Sequence, residues 1–569
     1  MSADVPAQKL LHGSDESWRF VLSPHAEIIW TVVTSPDEFT MSISAGGSNP
    51  EEIEAVEMLF PFDPSVTPVT ILPHAWSDDG HATLPAVLSA PDFGQLLLDD
   101  ASHPGMTARL KGSRTQRSVD LIVELPPAIS GKFCELTFTP VVLPPPAGVT
   151  APQLWRKARR GWFNVWQSSS RWGDQDRPFS APAGILANNV ISDPVSFALP
   201  FYADQALWTP LIAPGVSVID QVRRSIEWWL EHRTDAAGEA IGYWNYRHFL
   251  DANPGLIIAS WDYVEATGDH AWLAKNIGRL EQLSDFLERR DVDGDGMVEA
   301  TQSGNFGTLI QPARSCCWWD ALNCGHKAGY ANAMIWRAWC CLAELEGLLG
   351  RVQQQTHCVM LARRLQAAYS STLTNPQTGW LAWWKSADGQ LHDYATPIVN
   401  GLAIAYGLVE PQEGQRILAR LQAKMRAVNF TRIDLGLPCT LIPVLAGDYL
   451  QPSGVGSPHR PDGTDTFQQY MNGGISAGHS LPFILAHYAV GEQQEGDEIL
   501  QAMLDRQNTV GFQNGVRNSA GGVGWTTWNG TPCGYEGYLA DVFMFLQAVV
   551  LREPSLRARF LRPMKHVSR

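Results

Sequence analysis

A chain of 569 residues, 45% of them hydrophobic, has material for more than one packed core. Its formal net charge of −16 and the lack of any Lys/Arg block exclude nucleic acid and an anionic membrane as expected partners, because both require a basic face. No apolar run reaches about 18 residues, and the opening MSADVPAQKLLHGSDESWRF has no basic-then-apolar leader, so no membrane span and a cytoplasmic protein are expected.

Nine cysteines is an odd count. Two pairs are adjacent (Cys316 with Cys317, Cys340 with Cys341) and no CxxC occurs, which suits reduced, buried thiols better than a disulfide framework. Tryptophan is more telling: most of the 22 fall after residue 150, and indole faces stack on sugar rings as well as filling cores.

In chain order, residues 16 to 143 read as strands. Runs such as EIIWTVVTS, FTMSISAG, GQLLLDD, VDLIVELP and CELTFTPVVL alternate and are rich in Val, Ile, Thr and Phe, with Gly, Pro, Asn and Asp between them. That spacing predicts an antiparallel β-sandwich. LPPPAGVTAP (143–152) is a stiff connector that no helix or central strand can absorb, so the boundary falls there, giving domains 1–150 and 151–569.

Beyond it the apolar period lengthens to about 3.6 residues. Twelve helices are predicted over 153–170, 196–209, 216–232, 254–267, 270–289, 328–349, 355–372, 396–409, 412–428, 475–490, 494–508 and 535–551. Ile277, Leu280, Leu283 and Leu287 form one stripe behind an Asp269 cap, Gly350 closes the sixth helix and Pro411 opens the ninth. The connectors alternate between short and long. Short links make antiparallel hairpins, and six hairpins closing in a ring put every long loop at one end, which is the plan of an all-α (α/α)6 barrel.

The long loops carry the chemistry. Asn188, Asn189 and Asp193 lie on the first, and Trp244, Tyr246, Arg247, His248 and Asp251 on the second. Trp318, Trp319 and Asp320 lie on the third; Trp380, Trp383, Trp384, His392 and Asp393 on the fourth; Gln468, Gln469, Tyr470 and Asn472 on the fifth. The last brings Gln513, Asn514, Trp525, Trp528 and Glu536. Carboxylates, amides and aromatics with almost no lysine make the inventory of a pocket for a small carbohydrate.

Cleaving a glycosidic bond requires one protonated carboxyl for the leaving oxygen and one ionised carboxylate to activate water or attack the sugar. Asp320 stands between Trp319 and the apolar Ala321–Leu322, where desolvation raises a carboxyl pKa toward an acid's role; the competing reading is a helix cap. Between Asp505 and Glu536 there is no Asp or Glu, so a base supplied by the last loop must be Glu536; the competing reading is a first-turn glutamate. Asp193, Asp251, Asp393 and Asp465 are the other carboxylates in contention, and Asp251 in FLDANP reads most like a turn or cap residue. Asp291, Asp293 and Asp295 imitate the first half of a calcium loop, but Gln302 stands where a bidentate Glu closes one, and an aspartate-rich turn competes. No His/Cys spacing supports zinc, and no other cofactor is expected.

The order DANPGLIIASWDYVEATGD, RDVDGDGMVEA, WWDA resembles the glucosylceramidase, or bile-acid β-glucosidase, family. WWDA followed by YANAMIWRA resembles the inverting amylo-α-1,6-glucosidase barrel and, more loosely, the processing-glucosidase and mannosylglycerate-hydrolase family. Both resemblances imply a six-hairpin glycosidase in which Asp320 is the acid. They part over the second carboxylate. GILANNVISDPVSF contains no glutamate where the β-glucosidase family keeps its nucleophile, and the inverting families' local motif is absent around Glu536.

The expectation is therefore an exo-acting hydrolase of a glucoside or short gluco-oligosaccharide, working with inversion through Asp320 and Glu536. Trp244, Tyr246, Arg247, His248, Asp251, Trp318, Trp319, Trp384, His392, Gln468, Gln469, Tyr470 and Trp528 are expected around the sugar. The alternatives are a retaining β-glucosidase type and a sugar epimerase or lyase on the same barrel.

Overall fold

The computed structural model describes eleven segments of the first 140 residues: 7–12, 15–23, 26–34, 39–46, 56–62, 70–72, 81–90, 94–100, 106–111, 119–125 and 134–140. Beyond them it describes 141–162, 199–213, 215–241, 249–300, 315–317, 319, 321–451, 457–510, 525–533 and 545–568.

The first part is antiparallel β structure. Strands β1 (Ala7–His12), β2 (Asp15–Ser23), β3 (Ala26–Thr34) and β4 (Phe39–Gly46) are followed by β5 (Val56–Phe62), β6 (Thr70–Leu72), β7 (His81–Thr83) and β8 (Ala86–Ala90). β9 (Gly94–Asp100), β10 (Thr107–Lys111), β11 (Val119–Leu125) and β12 (Cys134–Pro140) complete it. One sheet runs β1-β2-β3-β4-β12-β9-β8-β6 and the other β5-β11-β10-β7. Met41, Leu88, Leu98, Leu136 and Phe138 of the larger sheet share one apolar cluster with Ala82, Ala108, Leu121 and Val123 of the smaller. The period-two pattern works as read from the sequence: Leu121 and Val123 both join this cluster, and Ile122 between them does not.

Residues 141–146 form neither helix nor strand, and helix α1 starts at Pro152 (Pro152–Trp162). After it come α2 (Leu199–Trp208), α3 (Ile219–His232), α4 (Ala252–Thr267), α5 (His270–Glu288), α6 (Gly329–Leu348) and α7 (Val352–Leu373). Then follow α8 (Pro397–Tyr406), α9 (Pro411–Ala427), α10 (Leu481–Val490), α11 (Gln493–Val510) and α12 (Phe545–Leu551). The even-numbered helices pack in a closed ring, α2 on α4, then α6, α8, α10, α12 and back to α2. The odd-numbered ones lie outside: α3 against α2 and α4, α5 against α4 and α6, α7 against α6, α9 against α8 and α10, α11 against α10 and α12, and α1 against α12. The chain therefore has the six-hairpin (α/α)6 architecture.

Sequence dictates the two rings. An inner helix has neighbours on every side and is apolar all round: α4 buries every residue from Ala252 to Val264, and α10 every residue from Leu481 to Tyr488. An outer helix keeps one stripe. In α5 that stripe includes the expected Ile277, Leu280, Leu283 and Leu287, and Asp269 caps it by accepting from the Trp272 N–H at 2.9 Å. The tightest hairpin turns reverse on Gly268 (φ 69°) and Gly491 (φ 88°), left-handed positions where a side chain is strained. The tenth helix begins at Leu481 rather than the expected 475. Pro482 sets its first turn, and Ile475–Ser476 instead pairs with Leu437–Pro438 as a short strand. Two further helices, α13 (Pro554–Phe560) and α14 (Arg562–Ser568), were not expected; α14 packs across α6 and α7.

A polar layer crosses the centre of the ring. Arg337 of α6, wholly buried, donates bidentately to Asp204 of α2 and, at 3.0 Å, to Tyr406 Oη of α8. Gln547 of α12 donates to Asp204 at 3.0 Å, and Asp262 of α4 joins beside them. Burial and then the neighbouring Asp204 push the Asp262 carboxyl well above the usual range.

Candidate active site at the mouth of the ring

Each inner helix is entered from a long connector, so the inner N-termini face one end, and their dipoles favour anionic groups there. The described parts of these connectors are sewn together. Leu250 N–H donates to Cys316 O at 2.7 Å, Asn323 N–H to Asp448 O at 2.8 Å, Leu441 N–H to Tyr394 O at 3.1 Å and Ile475 N–H to Thr526 O at 2.8 Å.

Asp320 and Glu536, the expected acid and base, lie outside the described residues, as do Trp318, Trp244, Tyr246, Arg247, His248, Asp193, Asn188, Asn189, Gln513 and Asn514. The chain on either side of position 320 is described. Trp319 is fully buried, edge-on to Trp383 (4.9 Å) and Tyr330 (4.7 Å). Ala321 O accepts from Leu450 N–H at 3.0 Å, and Leu322 bridges to Tyr449.

Tyr449 is also a wall of a cavity of about 330 Å³, together with Arg460, Thr466, Gln469, Tyr470 and Asn472. Two expected sugar contacts, Gln469 and Tyr470, thus come together beside the chain that carries Asp320. The loop that presents them is tightly wound: Gln468 (φ 70°) and Tyr470 (φ 45°) occupy the left-handed region without being glycine, and Gln468 N–H donates to Asn472 O at 2.7 Å. A side chain at Gly474 would strike Tyr470 O, 2.4 Å from its Cβ, so that position admits only glycine.

Other expected contacts sit deeper. His392 is 5% exposed, its ring stacked on Trp384 at 4.5 Å, with Nδ1 2.7 Å from Asp448 and Nε2 3.0 Å from Ser386. Tyr394 donates to the same Asp448 carboxylate. Asp251 is buried at the entry to α4. Trp528 donates to Gly473 O at 2.6 Å between Phe430 and Phe467. Asp393 accepts from Asn375, Thr378 and Trp380 and so braces its loop; Asp465 accepts from the Phe467 N–H. Sequence reasoning missed Asp448, Tyr449 and Arg460; AGDYL and SPHRPDG carry only the signal of polar residues in a long loop.

His479 lies under the mouth, edge-on to Trp525 at 4.9 Å, and burial lowers its pKa to about 3 from 6.5. A depressed base of this kind contributes stability that is present above 6.5 and lost as pH falls toward 3. Melting temperature is thus expected to drop through that window, with a slope of up to about 1.4 kcal/mol per pH unit from this residue. His479→Asn is expected to flatten the thermal melt against pH; an unchanged slope would reject the assignment.

No protein-family model matches the chain, and no curated protein does. Solved structures do resemble it. A GH78 family rhamnosidase of a Bacillus species aligns over 96% of this chain and 47% of its own, at 10% identity and a TM-score of 0.43. This chain thus spans about half the length of that enzyme. A GH63 mannosylglycerate hydrolase from Thermus thermophilus aligns over 69% of this chain and 99% of its own, at 12% identity and a TM-score of 0.44. A bacterial glucoamylase solved with acarbose aligns over 99% and 86%, at 10% identity and a TM-score of 0.44. At these scores the likenesses carry no weight for the activity, and the ring of helices rests on its own packing.

Proposed function

We propose that the protein is an exo-acting glycoside hydrolase of a neutral glucoside or short gluco-oligosaccharide, with Asp320 as general acid and Glu536 as the base that activates water with inversion. The observation that carries this reading is the cavity of Tyr449, Arg460, Gln469 and Tyr470 at the mouth, bounded by the strand partner of the Asp320 loop. Amides and phenols with one guanidinium suit sugar hydroxyls. Trp244, Tyr246, Arg247, His248 and Trp318 complete the sugar contacts in this proposal. The epimerase alternative leans on histidines at the mouth, and His392 is buried with both ring nitrogens engaged. Hydrolysis is therefore the better reading.

Proton NMR of the protein with α- and β-linked glucose disaccharides tests it. First release of the opposite anomer from one linkage supports inversion; release of the same anomer means a covalent intermediate, with Asp193 as the nucleophile to examine. No release from any substrate would reject the hydrolase.

In the same reading, residues 1–150 fold as a β-sandwich domain ahead of a catalytic domain over 151–569. The eight cysteines whose side chains are described are free thiols, as in a reducing compartment such as the cytoplasm. Among the described residues no helix is long and apolar enough to cross a membrane.

In this reading the aspartate run takes no calcium. Lys327 Nζ lies 2.6 Å from both Asp293 and Asp295, and Arg364 binds Asp291 at 2.7 Å, so cations of the chain itself stand among the carboxylates. Burial opposes the charge on Lys327, but its hydrogen bonds with Asp293 and Asp295 outweigh it and raise the pKa. Neither calcium nor EDTA is expected to shift the melting temperature. Lys327→Met should lower it and make it calcium-dependent; a calcium shift in the unaltered protein would overturn this.

A further inference from the structure

We propose that Cys316, Cys317 and Cys324 form a site for a thiophilic metal ion of the Zn²⁺ or Cu⁺ class, which pins the loop carrying Asp320. The three thiols are wholly buried, and their sulfurs all lie within 4.8 Å of one another, with Cys316 Sγ 3.9 Å from Cys324 Sγ. Thiolates at about 2.3 Å from a common ion stand roughly 3.8 to 4.0 Å apart, depending on whether the site is tetrahedral or trigonal. The Cys316–Cys324 separation of 3.9 Å falls in that interval, and the remaining pairs lie within 4.8 Å.

Adjacency in sequence does not explain the arrangement. Cys340 and Cys341 are also neighbours and also buried, but they sit on α6, where successive side chains diverge, and among the described residues no third thiol joins them. Cys316 and Cys317 sit in a bend, and the chain returns to them: Cys316 N–H donates to Cys324 O at 2.9 Å, and Leu322 N–H to Trp319 O at 3.1 Å. The sulfurs therefore close the base of a hairpin that includes Trp319 and Leu322. Among the described residues, no lysine, arginine or histidine donates to them. The other such cluster among the described residues, Asp291 with Asp293 and Asp295, is already held by Lys327 and Arg364. Three soft ligands at one point, with no cation of the chain among them, select a thiophilic ion over calcium or magnesium.

The ion binds as the thiols lose their protons to solvent, with no change of oxidation state. It would act on the loop's geometry and take no part in bond cleavage. The site stands apart from the hydrolase reading, because its test contains no sugar.

The full-length protein, reduced and freed of metal, is titrated with Cd²⁺ while near-ultraviolet sulfur-to-cadmium charge transfer is followed. Saturation at one Cd²⁺ per chain with the intensity of three thiolates is expected. Cys316→Ser and Cys324→Ser should each abolish the band or cut it to that of two thiolates, and Cys358→Ser, on α7, should leave it whole. Should a serine variant fail to fold, the ¹¹³Cd resonance of the unaltered protein, at a thiolate-rich shift, serves in its place. No saturable band, a resonance typical of oxygen ligands, or a full band in Cys316→Ser would overturn the site. So would a Cys316–Cys324 disulfide forming in preference to metal binding.

Discussion

Asp320→Asn is expected to keep the melting temperature of the unaltered protein while lowering turnover of an alkyl glucoside by roughly 10²- to 10⁴-fold. The loss comes from withdrawing the proton that the leaving oxygen needs. It should shrink sharply on an aryl glucoside whose phenol leaves readily as an anion, because such a leaving group needs little protonation. Glu536→Gln should behave differently, with a loss of similar size whatever the leaving group, since water activation is required for both substrates. This contrast separates acid from base. Near-normal turnover of alkyl glucosides by Asp320→Asn would sink the assignment, and equal losses on both substrates would assign Asp320 another role.

The largest effect on stability is expected from Arg337→Met. Arg337 is held by Asp204 and Tyr406 and lies over the Phe560 ring at 4.4 Å, wholly inside the barrel. Methionine fills much of the space but strands the Asp204 carboxylate next to Asp262. Removing one partner of a buried ion pair costs about 3–5 kcal/mol. The raised Asp262 pKa sets the sign of the pH dependence. Its contribution is complete below the unfolded value of 3.8 and is lost as pH rises through the folded one, so Asp262→Asn should remove that loss. Urea melts of the two variants check both statements. An Arg337→Met protein within about 1 kcal/mol of the unaltered one would show that the layer contributes little.

The architecture was legible because it rests on local signals. Each of the twelve expected helices has a counterpart, since a stripe such as Ile277–Leu287 and a cap such as Asp269 are written within a few residues of one another. The start of α10 was misplaced because the pairing of Ile475–Ser476 with Leu437–Pro438 is a tertiary fact. The site was less legible for the same reason. Asp448 meets His392 across 56 residues and Arg337 meets Asp204 across 133, and nothing near either residue announces its partner. The third thiol of the Cys316 cluster is only eight residues away, but it is brought in by the hairpin's return rather than by a ligand spacing.

The layer of Arg337, Asp204, Asp262, Tyr406 and Gln547 also ties five of the six inner helices to one another across the ring. Arg337 stands eight residues after Gly329, about 12 Å along α6 from the mouth at 1.5 Å per residue. Gly329 through Ala343 of α6 are all buried, so that length of the helix is closed to solvent. In the hydrolase reading a long glucan therefore meets a closed ring, and only its chain end enters the site at the mouth.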